Sequence, residues 1–162
     1  MAPNPALTDQ RRQLHFASLD EVLADAEQLA AQPHRTLGQW SLGQIFAHLA
    51  IFMQQSLDGF DFQMPAVVRL AARPFRKRFL TRPWPSGIRF PRRAAATLAP
   101  PAVSVEEGLQ RLRAMIDRLK REPQRHPSPL FGEMSAAEWN QFHCRHAALH
   151  LSFVVPGESS AG

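Results

Sequence analysis

The sequence predicts an all-α protein, a four-helix bundle in a single domain over residues 1–162, with a long Pro/Arg-rich crossover between its second and third helices. Three observations carry that expectation. The capping pattern S-x-x-E/Q occurs at four places, each opening a stretch of helical periodicity. No segment shows strand-like alternation of useful length, and there is no Asn-Gly hairpin signal. A chain of 162 residues that is 44 % hydrophobic and 20 % charged can bury a proper core and does not read as disordered.

The first helix follows Ser18, with Glu21 closing its capping box and Leu19, Val22, Leu23, Ala26, Leu29 and Ala30 spaced by three and four. The second runs from Ser41 to about Asp58, with Gln44 as the capping partner and a stripe of Leu42, Ile45, Phe46, Leu49, Phe52 and Met53. The third follows the Ser104–Glu107 pair, its stripe Val105, Leu109, Leu112, Ile116 and Leu119 backed by Arg and Lys. The fourth follows Ser135–Glu138 and extends to about Val155. Together they delimit a core of about residues 11–155. The Gly157–Gly162 tail is expected to fray.

The crossover, about residues 60–103, concentrates the positive charge. Nine basic residues and no acid lie between Phe62 and Val105, whereas the rest of the chain has ten basic and fourteen acidic residues, a balance of −4. Seven of the fourteen prolines fall in the same segment, which therefore reads as mostly irregular, with a short helix from Ala66 to Arg73 that can continue to Leu80. Arginines interleaved with Phe75, Phe79, Trp84 and Phe90 suit an anionic ligand. Nucleic acid ranks below a small anion, because no recognition-helix motif accompanies the charge. The plainer alternative is a solvated loop whose aromatic residues dock on the bundle.

Cys144 is the lone cysteine, which excludes an internal disulfide and a thiolate pair for a metal, and fits a reducing cytoplasm. No apolar run approaches the ~18 residues of a membrane span, and the polar start MAPNPALTDQRR has no signal-peptide core. The expected location is cytoplasmic, without a membrane partner. A homodimer stays open.

The histidines supply the chemistry. At about 100° per residue, His143, His150, Trp139, Phe142, Leu149 and Phe153 all fall within about 60° of His146, while Cys144 lies on the opposite side. His146 and His150 thus form an i,i+4 pair inside an apolar stripe, where unpaired polar groups are costly. On the second helix His48 flanks the stripe, able to reach the interior while staying near solvent, with Gln44 and Gln55 along its open edge. Three neutral imidazoles converging from two helices suit a divalent ion such as Zn²⁺, Ni²⁺ or Fe²⁺, with positions left open. The structural alternative is three core histidines bonded to backbone or neighbouring side chains.

Three segments carry a resemblance: WSLGQIFAHLA at 40–50, HPSPLFGEMSAAEW at 126–139 and HAALHL at 146–151, with RRQLHFASLDEVLADAEQLA at 11–30 extending it. In order and spacing they are similar to the DinB-like, or YfiT-like, superfamily of bacterial four-helix bundles, closest to a branch described as a domain of unknown function. That resemblance implies a metal held by His48, His146 and His150. Relatives often carry adjacent histidines at the end of the last motif; here Leu149 precedes His150, so the i+4 ligand is kept and its neighbour is lost. The resemblance further implies thiol-dependent transfer, with a low-molecular-weight thiol as cosubstrate, or metal-dependent hydrolysis.

The expected function is therefore a metal-dependent enzyme acting on a small molecule, a thiol S-transferase or a hydrolase. The alternative is a non-catalytic metal-binding or structural bundle. An open three-histidine centre can acidify a bound water or thiol or polarise a carbonyl. His143, one turn before His146, is the candidate catalytic proton acceptor. Gln44, one turn before His48, is the candidate to orient a ligand from behind. Cys144 points away and is rejected as nucleophile, and His126 is read as part of the loop leading into the last helix.

Overall fold

In a computed structural model, which describes residues 10–85 and 96–157, the chain is predominantly helical. The elements are α1 (Leu19–Ala30), β1 (His34–Thr36), α2 (Leu42–Asp58), α3 (Ala66–Ala72), a 3₁₀ turn (Arg73–Phe75), α4 (Arg76–Thr81), α5 (Val105–Arg121), α6 (Ala136–Leu151) and β2 (Val154–Pro156).

The four long helices start where the capping serines stand. Ser18, Ser41, Ser104 and Ser135 each accept a hydrogen bond from the backbone N–H three residues on, satisfying a donor that the first turn leaves free. The box is complete at Ser41/Gln44 and Ser135/Glu138, where the partner side chain also accepts from the serine N–H. Glu21 instead accepts from Ala17, one residue earlier, and Glu107 pairs with Arg111 along the helix.

α5 lies against both α1 and α2, and α6 against the same two helices from another side. The starts of α2 and α5 approach each other closely. A Cβ on Gly108 would stand 2.5 Å from the Gly43 carbonyl oxygen, and one on Gly43 would strike the Val103 carbonyl, so both positions require glycine for contact rather than for backbone freedom.

Two apolar clusters meet at α6. Phe46, Leu49 and Met53 of α2 join Leu29, Leu112, Ile116, Cys144, Ala147 and Leu151 in the larger one. Trp139 and Phe142 join Leu80, Phe131 and Met134 in the smaller, with Phe52, Phe60, Phe79 and Trp84 against its edge. α6 therefore buries both sides of its surface, and its face carrying the histidines lies next to the aromatic cluster.

Three expectations need correction. α6 stops at Leu151 rather than near Val155, because Val154–Pro156 pairs antiparallel with His34–Thr36. Phe153 consequently leaves the helical stripe. The two strands have three residues each, too few to display a period of two, and their pairing is a tertiary event between distant segments. His48, expected near solvent, is only 5 % exposed.

The short crossover helix is found as α3, the 3₁₀ turn and α4, with the change of geometry at Pro74, which has no N–H to give to an α-helical bond. Of the crossover aromatics, Phe79 docks on Phe131 and Trp84 on Phe142, whereas Phe75 is exposed. Phe90, Arg89, Arg92, Arg93 and the Gly157–Gly162 tail beyond Gly157 lie outside the described residues. No described helix is long and apolar enough to cross a membrane.

Candidate metal centre

His48, His146 and His150 come together, with one ligating atom from each lying within 4.8 Å of the others. α2 supplies the first and α6 the other two. His48 and His146 are buried and His150 is partly so. The ring centroids stand 5.0 Å (His48–His146), 4.5 Å (His48–His150) and 4.6 Å (His146–His150) apart.

The hydrogen bonds fix the chemistry of His48. Its Nδ1 lies 2.7 Å from the Leu98 carbonyl oxygen, which can only accept, so Nδ1 carries the hydrogen. Burial keeps the ring neutral by lowering its pKa, against a smaller opposing effect of the Leu98 bond. Nε2 then presents a lone pair, and it faces His146 Nε2 at 3.1 Å. Two such nitrogens require either a hydrogen on His146 Nε2 or a cation shared between them. Ligands ~2.0–2.1 Å from zinc, at angles between octahedral and tetrahedral, place their nitrogens roughly 2.9–3.4 Å apart. The His48–His146 separation falls in that range, and with all three ligating atoms within 4.8 Å of one another the trio could hold an ion.

Electrostatics agree. Burial first, then the neighbouring imidazoles His150, His48 and His143, push the His146 pKa well below its usual value. Burial, His48 and Arg11 do the same for His150. All three rings are neutral near pH 7, the form that ligates. Aromatic rings wall the group. Trp40 stacks on His150 at 5.5 Å and touches His48, Phe52 meets His146 at 4.6 Å, and Trp84 covers His146 at 5.7 Å.

The other expected residues occupy different places. His143 is fully enclosed, stacked on Trp139 and edge-on to Phe52, with Nε2 3.0 Å from Ser56 Oγ. Ser56 donates its own hydroxyl hydrogen to the Met53 carbonyl, so His143 Nε2–H is the donor and Nδ1 is the bare nitrogen. Burial, aided by Arg125, brings the His143 pKa down to about 3. Gln44 Oε1 accepts from the Ser41 N–H in the capping box, and the bond behind His48 comes from the Leu98 carbonyl instead. His126 fastens its loop: its N–H donates to the Ser56 carbonyl, and its carbonyl accepts from Trp139 Nε1. Cys144 sits in the larger core on the far side of α6, its thiol pushed up to about 11 by burial.

Residues that sequence reasoning did not single out are Leu98, Trp40, Ser56, Arg11 and Arg145. Leu98 contributes only a carbonyl, for which no side-chain signal exists. Arg145, a charge between two histidines in an apolar run, is a signal legible in the sequence itself.

A family described as "Protein of unknown function (DUF1569)" matches residues 8–157. No curated protein and no solved structure matches the chain. Since that match takes in both histidine-bearing helices and the crossover between them, the chain belongs to the DUF1569 family.

Proposed function

We propose that His48, His146 and His150 hold a divalent metal ion within a DinB-like four-helix bundle, and that the centre serves a thiol-dependent S-transfer or a hydrolysis on a small molecule. One observation carries the reading: the Leu98 carbonyl holds His48 in the tautomer whose Nε2 lone pair faces His146. A hydrogen-bonded imidazole of fixed tautomer is the arrangement that orients metal ligands. When bound, the ion would supply Lewis acidity toward a thiol, water or carbonyl.

The chain's own residues do the rest. Trp40, Phe52 and Trp84 restrict water around the three rings. His143, with a conjugate acid near pKa 3, is far from the range in which a proton acceptor works well at neutral pH, so we assign it the bond that ties α6 to Ser56 of α2. Phe79 and Trp84 spend their faces on the protein, which further lowers the nucleic-acid reading of the crossover.

Metal per chain, measured by elemental analysis on protein purified without an affinity tag, tests the proposal. His48→Ala, His146→Ala and His150→Ala should each lose the ion, and His143→Ala should keep it. Near-stoichiometric metal with no thiol-transfer or hydrolytic turnover would favour the non-catalytic metal-holding alternative. Absence of metal from wild type, with mutants losing only stability, would favour a purely structural trio.

A further inference from the structure

Beside the histidines lies a cleft of about 170 Å³, bordered by Arg11, Arg145, Trp84, Ala148 and Leu149 among others. None of the three histidines borders it, and Trp84 and Leu149 connect the cleft to them. Trp84 lines the cleft with one part of its surface and covers His146 with another, and Leu149 is the residue before His150.

Among the described residues the charges around this cleft do not balance. Arg12 is satisfied: it makes a two-pronged pair with Asp25 at 2.7 and 2.8 Å and donates to the Val154 and Leu151 carbonyls. Arg11 and Arg145 have no carboxylate within ion-pair distance among the described residues. Arg145 is only 6 % exposed, donates to His15 Nδ1 and to the Phe16 carbonyl, and leaves Nε without a partner. Arg11 lies 4.1 Å over the Phe153 ring and donates to Ser152 Oγ and the Leu149 carbonyl. Burying a guanidinium without a counter-charge is costly; Arg145 is buried in this way, and with the partly exposed Arg11 beside it the cleft suits an anion.

We propose that this cleft binds a carboxylate of the small molecule whose other end reaches His146 and His150; only that second half rests on the metal reading above. The cleft is small, its walls at Trp84, Ala148 and Leu149 are apolar, and about half of the N–H groups of Arg11 and Arg145 are already engaged. Those that remain suit the two oxygens of a carboxylate. Arg11 is a binding residue in this assignment, and Trp84 separates the anionic end of the ligand from the reacting end.

Two measurements decide it. In metal-free protein, the arginine Nε–H resonances are followed by ¹H–¹⁵N NMR as succinate, and separately inorganic phosphate, is added. Saturable shifts at the Arg11 and Arg145 Nε–H groups with succinate, with the Arg145 shift lost in Arg11→Met and partly restored in Arg11→Lys, sustain the site. No saturable shift, or tighter binding of phosphate, overturns it. In zinc-loaded protein, calorimetry compares 3-mercaptopropionate with 2-mercaptoethanol. A preference of about tenfold or more for the carboxylate-bearing thiol is expected. It should vanish in Arg11→Met without loss of zinc or of 2-mercaptoethanol binding. A preference that survives in Arg11→Met, or none in wild type, overturns the link between cleft and histidines. Should the protein take up no zinc, the metal reading fails, while the succinate titration still decides the cleft. Arg11 is partly exposed and outside the core, so its variants remain informative even if Arg145→Met does not fold.

Discussion

The carbonyl of Leu98 stands 2.7 Å from Nδ1 of His48, across fifty residues of chain and at the far end of the proline-rich crossover. The basic segment thus reaches back to the histidine group and sets which nitrogen of His48 is bare. Long-range ¹H–¹⁵N spectra of the metal-free protein should show His48 as the Nδ1–H tautomer at neutral pH. An Nε2–H tautomer would remove the main support for His48 as a ligand through Nε2.

Acid should destabilise the metal-free protein. His48, His143, His146 and His150 all have lowered pKa values in the fold, His143 at about 3, chiefly from burial. The unfolded chain titrates near the ordinary value of about 6.5. Below that value the unfolded state binds more protons, so stability is fully present above it and declines as pH falls toward the folded pKa values. Urea midpoints should drop steadily from pH 7 to pH 5, and His143→Phe should flatten the slope. Any bound ion should leave over the same range, since protons compete for its ligands. A midpoint that does not move with pH would contradict the enclosure of these rings.

Replacing Gly43 or Gly108 by alanine separates local from tertiary effects. Helix propensity alone would favour alanine by about 1 kcal/mol. The added Cβ instead meets backbone atoms that cannot give way, the Val103 carbonyl for Gly43 and the Gly43 carbonyl for Gly108. Overpacking of this kind costs about 1–3 kcal/mol, so both variants should melt lower than wild type. Equal or higher melting temperatures would place the two helices further apart than described.

Cys144 should resist alkylation in the folded protein. It is 2 % exposed, and burial raises its pKa to about 11, so thiolate at neutral pH is scarce. Reaction with a thiol-specific reagent should follow global unfolding and accelerate with denaturant. Fast labelling of native protein would put the thiol at the surface and reopen a nucleophilic role.

The sequence by itself determined the four long helices and which three histidines converge. A serine followed three residues later by Glu or Gln satisfies first-turn donors locally, so the starts at Ser18, Ser41, Ser104 and Ser135 were legible without a fold. The i,i+4 spacing of His146 and His150 is likewise a property of one helix, and the periodicity of α2 brought His48 close to the right face. Tertiary structure decided the surroundings. The depth of His48 depends on Leu98, which the crossover delivers from fifty residues away, and a carbonyl has no letter in the sequence. The end of α6 was set by pairing with His34–Thr36, and the lack of a carboxylate beside Arg145 among the described residues emerged only when the side chains around it were in place. Capping and periodicity act within a turn or two of one chain segment, whereas desolvation and counter-charge depend on every segment that closes around a group.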